Sequence, residues 1–288
     1  FLLCNKVIFF LLKDRPSLVF GMGGYSSFPV CIAAKILRIP FIIYENNLYI
    51  GKANKYLLPY AKKIFVSNGE LQGITEKYKK KINVIGNIIR KEILNFEVKT
   101  KSNESNKKLK ILILGGSQAA KTFAERLPEI FKECKKAEIS LKIYQQCLPG
   151  QSKFLISFYE SLNIDFEIFN FTNNILNYFS KVNLAITRSG SSMLAELINA
   201  KVPFIAVPLP SSADDHQLKN ATYYYKNGYS YLIEEKDLNF KLFQLINKIS
   251  KDPSLLSQMI SKQREYSDKS VYKNIDKHIN KMLHNEEY

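Results

Sequence analysis

Cysteine is scarce, with four in 288 residues. Cys4, Cys31, Cys134 and Cys147 lie far apart and form no CxxC pair, which argues against a disulfide framework or a zinc cage and fits a reduced, cytosolic compartment. No apolar run reaches the roughly twenty residues that a membrane-spanning helix needs. The opening FLLCNKVIFFLLKD is interrupted at Asn5 and Lys6 and ends at Lys13, so it reads as a buried helix feeding a strand. No GxxxxGK phosphate loop is present. GMGGY at 21–25 is not GxGxxG followed by a ribose-binding acid, although Glu45 lies near that spacing. Nucleotide hydrolysis and ordinary dinucleotide redox chemistry both lose ground. No repeat and no cluster with metal-ligand spacing appears; Asp214 and Asp215 read as a helix start. No metal and no cofactor is expected.

What is abundant is lysine. The 42 Lys and Arg against 26 Asp and Glu give a net charge of +16. Such a charge suits an anionic partner, whether a phosphorylated substrate, a membrane face or nucleic acid, and equally suits a lysine-rich solvated surface. The lysines are spread out and not interleaved with aromatics on one element, so nucleic acid is not expected. A hydrophobic fraction of 46% with 24% charged residues is that of a soluble globular protein, and the length favours two domains.

Short apolar, β-branched runs recur along the chain: SLVFG (17–21), PFIIY (40–44), KIFVS (63–67), INVIG (82–86), KILILG (110–115), LKIY (141–144), FEIFN (166–170), NLAIT (183–187), PFIAVP (203–208) and YSYLI (229–233). Stretches with helical periodicity separate most of them. Continuous rather than alternating apolar strands belong to parallel sheets covered by helices on both faces. The polar, lysine-rich segment 97–110 reads as a linker between two α/β units, and beyond about residue 235 only helices are expected.

In such sheets ligands bind beyond the carboxyl ends of the strands. Three strand-to-helix turns stand out there: GMGGY (21–25), GGSQAA (115–120) and RSGSS (188–192). Glycine lets backbone approach a ligand closely, and the N–H groups at a helix start, with the helix dipole behind them, favour an anion such as phosphate. Glu196 follows one turn inside the helix after RSGSS. Taken alone it is a dipole partner as readily as a ligand-binding carboxylate.

These turns, together with GMGGYSSFPVCIAAKILRIPFIIYENN, GNIIRKEI, LILGGSQAAKT, RSGSSMLAELINAKVPFIAVPLP and ADDHQLKNATYY, resemble the MurG family of glycosyltransferases, glycosyltransferase family 28, over most of the chain. The resemblance implies a GT-B fold of two Rossmann-like domains with parallel sheets facing a cleft. It implies transfer of N-acetylglucosamine from UDP-GlcNAc to lipid I, giving lipid II for peptidoglycan, at the cytoplasmic face of the inner membrane. The implied domains are an acceptor domain at 1–96, a UDP-GlcNAc-binding domain at 97–262 and a C-terminal helix at 263–288 that packs back on the first domain. The implied partners are UDP-GlcNAc, lipid I and an anionic inner membrane surface.

Carried over by position, Asn47, Arg90 and Ser117 match donor contacts, with Arg90 at the diphosphate, and Thr172 matches a backbone contact to the uracil. Ser191, Ser192 and Met193 open the helix that receives the UDP phosphates, Glu196 takes the ribose hydroxyls, and His216 and Gln217 lie beside the donor sugar. Gly21, Gly23, Gly24 and Tyr25 match the loop that meets the acceptor pyrophosphate. The sequence departs from the family pattern at Ala119, Tyr44 and Asn46. It lacks the family's GTGGH turn with its candidate catalytic His, so the chain is expected to miss its natural beginning and the catalytic residue stays unassigned. Another GT-B lipid glycosyltransferase, or a remnant that binds UDP-sugar without catalysis, are the alternatives.

Overall fold

All ten apolar runs form strands in the computed structural model, which describes residues 2–97 and 108–284, with side chains at 2–5 and 116–120 left undescribed. Most of the lysine-rich segment 97–110 lies outside the described residues. Every strand pairing is parallel, as the continuous apolar runs and the long connections between them require. The chain divides into two units, one of residues 1–88 with 268–288 and one of residues 89–267.

The first unit runs α1 (Leu2–Asp14), β1 (Val19–Gly21), α2 (Gly24–Ile36), β2 (Phe41–Glu45), α3 (Lys52–Leu57), β3 (Lys63–Val66), α4 (Glu76–Lys79) and β4 (Ile82–Val84). Its strands pair in sequence order, β1-β2-β3-β4. β2 is buried at all five positions, and Phe41, Ile43, Ile64 and Val66 form the core with Cys31 and Ala34 of α2. The opening segment is helical, but it is not the buried helix its composition suggested. Phe9, Phe10 and Leu12 are 66%, 59% and 50% exposed, while Leu11 packs on the core. Apolar residues cover more of the helix circumference than one neighbouring helix can bury.

The second unit runs α5 (Lys91–Leu94), β5 (Leu109–Leu114), α6 (Gly116–Lys136), β6 (Leu141–Gln146), α7 (Ser152–Ser161), β7 (Asp165–Phe169), α8 (Ile175–Phe179), β8 (Leu184–Thr187), α9 (Ser191–Asn199), β9 (Phe204–Ala206), α10 (His216–Lys226), β10 (Tyr231–Leu232), α11 (Leu238–Lys251) and α12 (Ser254–Arg264). Its sheet has the order β10-β9-β8-β5-β6-β7. Ile111, Ile113 and Ile186 from the central strands pack with Phe123, Leu127 and Phe131 of α6 and Leu242 and Ile246 of α11. Cys31, Cys134 and Cys147 are buried and unpaired. Burial pushes the Cys31 thiol up to about 11 and that of Cys134 to about 12.

The last helix, α13 (Val271–Leu283), belongs to the first unit. Buried Asp268, just ahead of it, accepts from the Asn87 backbone N–H at 2.8 Å and from Asn87 Nδ2 at 3.1 Å. Asn274 Nδ2 donates to the Ile85 carbonyl at 3.1 Å, and the His278 ring lies 5.5 Å from that of Phe65. Desolvation, with Lys277, Lys63 and Lys281 nearby, lowers the His278 pKa. Asp268 can come this close because residue 86 is glycine: φ there is +99°, and an added methyl would sit 2.7 Å from Asp268 Oδ1. Gly86→Ala is therefore expected to destabilise the protein by about 1–3 kcal/mol through backbone strain and loss of the Asp268 clamp. Denaturant unfolding measures this, and unchanged stability would remove the clamp from the account.

Candidate functional site

The strand order of the second unit reverses between β5 and β8. From β5 the chain adds β6 and β7 toward one edge, then returns beside β5 with β8 and adds β9 and β10 toward the other. Connections diverge at such a point and leave a crevice beyond the carboxyl ends of the two central strands. Two of the three unusual turns lie there. The GGSQ turn follows β5, with Ser117 in the first turn of α6 but its side chain outside the described residues. The RSGSS turn follows β8, and α9 begins at Ser191 behind Gly190, whose position at the helix start brings no capping side chain of its own. Ser191, Ser192 and Met193 thus supply first-turn N–H groups at the positive end of a nine-residue helix, the arrangement that receives anions.

The turn is held from behind. Buried Arg188 points away from the helix start: its Nη1 donates to the carbonyls of Val207 and Pro208 at 3.3 and 3.2 Å, its Nη2 pairs with Glu235, and its guanidinium lies 4.8 Å from the Phe123 ring. Arg126 Nη1 donates to the Glu235 carbonyl at 2.7 Å, fixing the same segment. Ser189 is fully buried, and its carbonyl accepts from Asn220 Nδ2 at 3.2 Å.

Gln217 is the second brace. Its Oε1 accepts from the Ser189 N–H at 3.1 Å and from the Leu209 N–H at 3.0 Å, joining the turn after β8 to the loop after β9. The sequence reading places Gln217 beside a sugar. The structure commits its carbonyl oxygen to two backbone amides, so only the Nε2 amide is left for a ligand. His216 opens α10 behind left-handed Asp214 and Asp215, with φ of 51° and 54°. Its Nδ1 donates to the Ala213 carbonyl at 2.6 Å, which leaves Nε2 for other partners.

Glu196 and Arg90, assigned by position to different parts of one ligand, are joined to each other. Arg90 Nε donates to Oε1 at 3.1 Å and Nη2 to Oε2 at 2.8 Å, with the arginine side chain 46% and the glutamate 12% exposed. Thr172 follows edge strand β7 and is half-buried; its Oγ1 accepts from the Asn174 N–H at 3.0 Å.

The remaining candidates belong to the first unit. Asn47 is organised by Glu45, whose Oε1 accepts from the Asn47 N–H and Nδ2 at 3.1 and 3.0 Å, while Oε2 accepts from the Gly51 N–H and Asn54 Nδ2, both at 2.9 Å. Sequence reasoning weighed Glu45 only as a ribose partner and missed this role. The available signal was a carboxylate directly ending an otherwise apolar strand. Tyr44, one of the departures from the family pattern, is also structural: its hydroxyl donates to the Gly86 carbonyl at 3.3 Å and accepts from the Ile88 N–H at 3.1 Å, and burial pushes its pKa well up. Gly21 ends β1, while Gly23 and Gly24, with φ of +80° and +73°, turn the chain into α2 and leave Tyr25 85% exposed.

The model of the glycosyltransferase family 28 C-terminal domain matches residues 110–278, more than half of the chain, and that of the N-terminal domain matches residues 2–66. The chain belongs to glycosyltransferase family 28.

The C-terminal-domain match spans both turns of the crevice as well as Glu196, His216 and Gln217, and the N-terminal-domain match spans the Gly21–Tyr25 turn and Asn47. Among similar proteins, the UDP-N-acetylglucosamine--N-acetylmuramyl-(pentapeptide) pyrophosphoryl-undecaprenol N-acetylglucosamine transferase of Pelagibacter ubique is 36% identical over 273 residues, 94% of this chain and 75% of that protein. Its namesake in Rickettsia bellii is 34% identical over 272 residues, covering 92% and 76%. The crystal structure of Acinetobacter baumannii MurG superposes with a TM-score of 0.79 at 25% identity, covering 96% of this chain and 78% of that one. Two parallel α/β units are thus the GT-B architecture expected of family 28.

Among the described residues no group of three or more His, Cys, Asp or Glu side chains could hold a metal ion. The Gln217 brace can be tested directly. Gln217→Leu leaves two amides without their acceptor and is expected to lose about 1–3 kcal/mol of stability, whereas Gln217→Glu, which keeps the acceptor, loses less. Thermal unfolding of the two variants decides this, and equal stability of Gln217→Leu and the parent would refute the brace.

Proposed function

We propose that this chain is a hexosyltransferase that moves N-acetylglucosamine from UDP-GlcNAc to lipid I, undecaprenyl-pyrophosphoryl-MurNAc-pentapeptide, to form lipid II with inversion at the anomeric carbon. One observation carries the reading of the donor site: the start of α9 behind Gly190 at the sheet's reversal point, with Glu196 one turn inside. The names borne by relatives at 36% and 34% identity support the choice of substrates.

In this reading the UDP phosphates sit against the N–H groups of Ser191, Ser192 and Met193, joined by Arg90 and Ser117, and Glu196 accepts from both ribose hydroxyls. A carboxylate has no proton to donate and can accept from two adjacent hydroxyls at once. Backbone at Thr172 reads the uracil, while Gln217 Nε2 and His216 adjoin the sugar; Asn47, in the first unit, is assigned to the donor by its place in the family motif. The turn Gly21–Tyr25 meets the acceptor pyrophosphate ahead of α2.

An acceptor sugar hydroxyl attacks the anomeric carbon. The bond from that carbon to the β-phosphate oxygen breaks, and its electron pair leaves with UDP. Donors aimed at the departing diphosphate stabilise the developing charge, each worth about 3–4 kcal/mol where such a group has been removed from comparable sites. The proton of the attacking hydroxyl passes to a general base, a role given to none of the residues named here.

No helix among the described residues is long and apolar enough to cross a membrane. A peripheral position on the anionic cytoplasmic face of the inner membrane suits α1, where Phe9, Phe10 and Leu12 are exposed beside exposed Lys6 and Lys13. Each lysine near such a surface adds about 1 kcal/mol of attraction.

Calorimetric titration tests the donor site. UDP-GlcNAc is expected to bind at least about ten-fold more tightly than UDP-GalNAc, and Glu196→Ala to weaken it about ten- to a hundred-fold, the range for losing hydrogen bonds to a charged acceptor. Absence of UDP-GlcNAc binding by the folded protein would overturn this assignment.

A further inference from the structure

The two oxygens of Glu196 that a ribose diol needs are both engaged by Arg90, one by Nε at 3.1 Å and the other by Nη2 at 2.8 Å. This is a fork-to-fork pair with both donors matched to both acceptors. We propose that Arg90 gates the ribose pocket, so that the site discriminates against nucleosides lacking phosphate by more than the phosphate contacts alone account for. The proposal rests on the nucleotide-site reading above and adds a competition between two ligand groups and one ion pair.

The two side chains differ in their freedom to move. Glu196 lies within α9, 12% exposed, with its backbone held in a regular helix. Arg90 sits just ahead of the four-residue helix α5, and its side chain is 46% exposed. The arginine is therefore the moving part. A pair with one partner nearly half in water is worth no more than about a five-fold change in an equilibrium, enough to bias the pocket without locking it.

A neutral nucleoside brings two hydroxyl donors to Glu196 and nothing for the guanidinium it displaces. The arginine then returns to water, and the whole strength of the pair is subtracted from the affinity. A nucleoside diphosphate brings a second, more highly charged anion. The displaced guanidinium exchanges one anionic partner for another, the α9 N–H groups hold the phosphates from the opposite side, and the carboxylate is released to the ribose. Phosphate binding and ribose binding thereby assist each other through one side chain, and a ligand with both groups gains a cooperativity that neither half possesses.

Removing the arginine has opposite effects on the two ligand types, which a simple phosphate contact cannot produce. With the full chain, titrations of uridine and UDP into the parent protein and Arg90→Ala are compared. The proposal expects uridine to bind about three- to five-fold more tightly to Arg90→Ala, the scale of the lost ion pair, while UDP binds at least about ten-fold more weakly. Uridine affinity that is unchanged or lower in the variant, with UDP weakened, would make Arg90 a plain phosphate contact and overturn the gate. Failure of the folded parent protein to bind UDP at all would instead overturn the nucleotide site itself, and the gate with it.

A measurement on the unmodified protein guards against misfolding of the variant. Salt screens a half-exposed ion pair, so uridine, itself uncharged, is expected to bind about two-fold more tightly as sodium chloride is raised, while UDP binds more weakly. Uridine affinity indifferent to salt would count against the gate as decisively as an unresponsive variant.

Discussion

The parallel pairing of β5 with β8, Ile111 beside Leu184 through Leu114 beside Thr187, sets two turns side by side whose chains then depart toward opposite edges of one sheet. The polar groups of the second-unit site are placed by that register. A slip of one residue would carry the turn after β8 away from the groups that Arg188 and Gln217 hold. Leu184, Ala185 and Ile186 are buried and carry no polar position, so the register is held by close packing and by these polar ties rather than by alternation.

Buried carboxylates do much of the remaining tethering, and amide N–H groups are prominent among their partners. Glu45 takes three N–H donors from the loop after β2 and a fourth from Asn54 of α3, and Asp268 takes backbone and side-chain donors from Asn87 across 181 positions of sequence. Amide dipoles pointed at a carboxylate satisfy its lone pairs and fix direction as well as distance. The second unit uses the opposite sign: a buried arginine gathers the carbonyls of Val207 and Pro208 and the carboxylate of Glu235. Glu196 differs from these groups in that Arg90, which holds it, has a side chain half in water, and such a replaceable partner suits the ribose-binding role proposed for it.

The strands were legible because each is a short apolar run whose burial on both faces leaves no alternation to misread; PFIIY and KILILG match β2 and β5 to within one residue at either end. The turns carrying Gly23, Gly190 and Ser191 were legible for a related reason, since small residues between a strand and a helix have few other uses. What the sequence did not disclose depends on distant partners. Nothing near Gln217 indicates that its oxygen meets the amides of Ser189 and Leu209, and nothing near Arg188 distinguishes an inward guanidinium from one aimed at phosphate. The exposure of Phe9, Phe10 and Leu12 was equally hidden, because an apolar helix reads the same whether its faces are covered or bare.

The buried thiols described above give each unit its own clock. Cys31 lies in the first unit, Cys134 and Cys147 in the second, and all three are buried. A thiol held out of water does not react with an alkylating reagent until the structure around it opens. Once Cys4, whose side chain lies outside the described residues, is replaced, the labelling rate at Cys31 reports opening of the first unit and the rates at Cys134 and Cys147 report opening of the second. The breathing of two units in one chain can thus be timed separately, without introducing a probe.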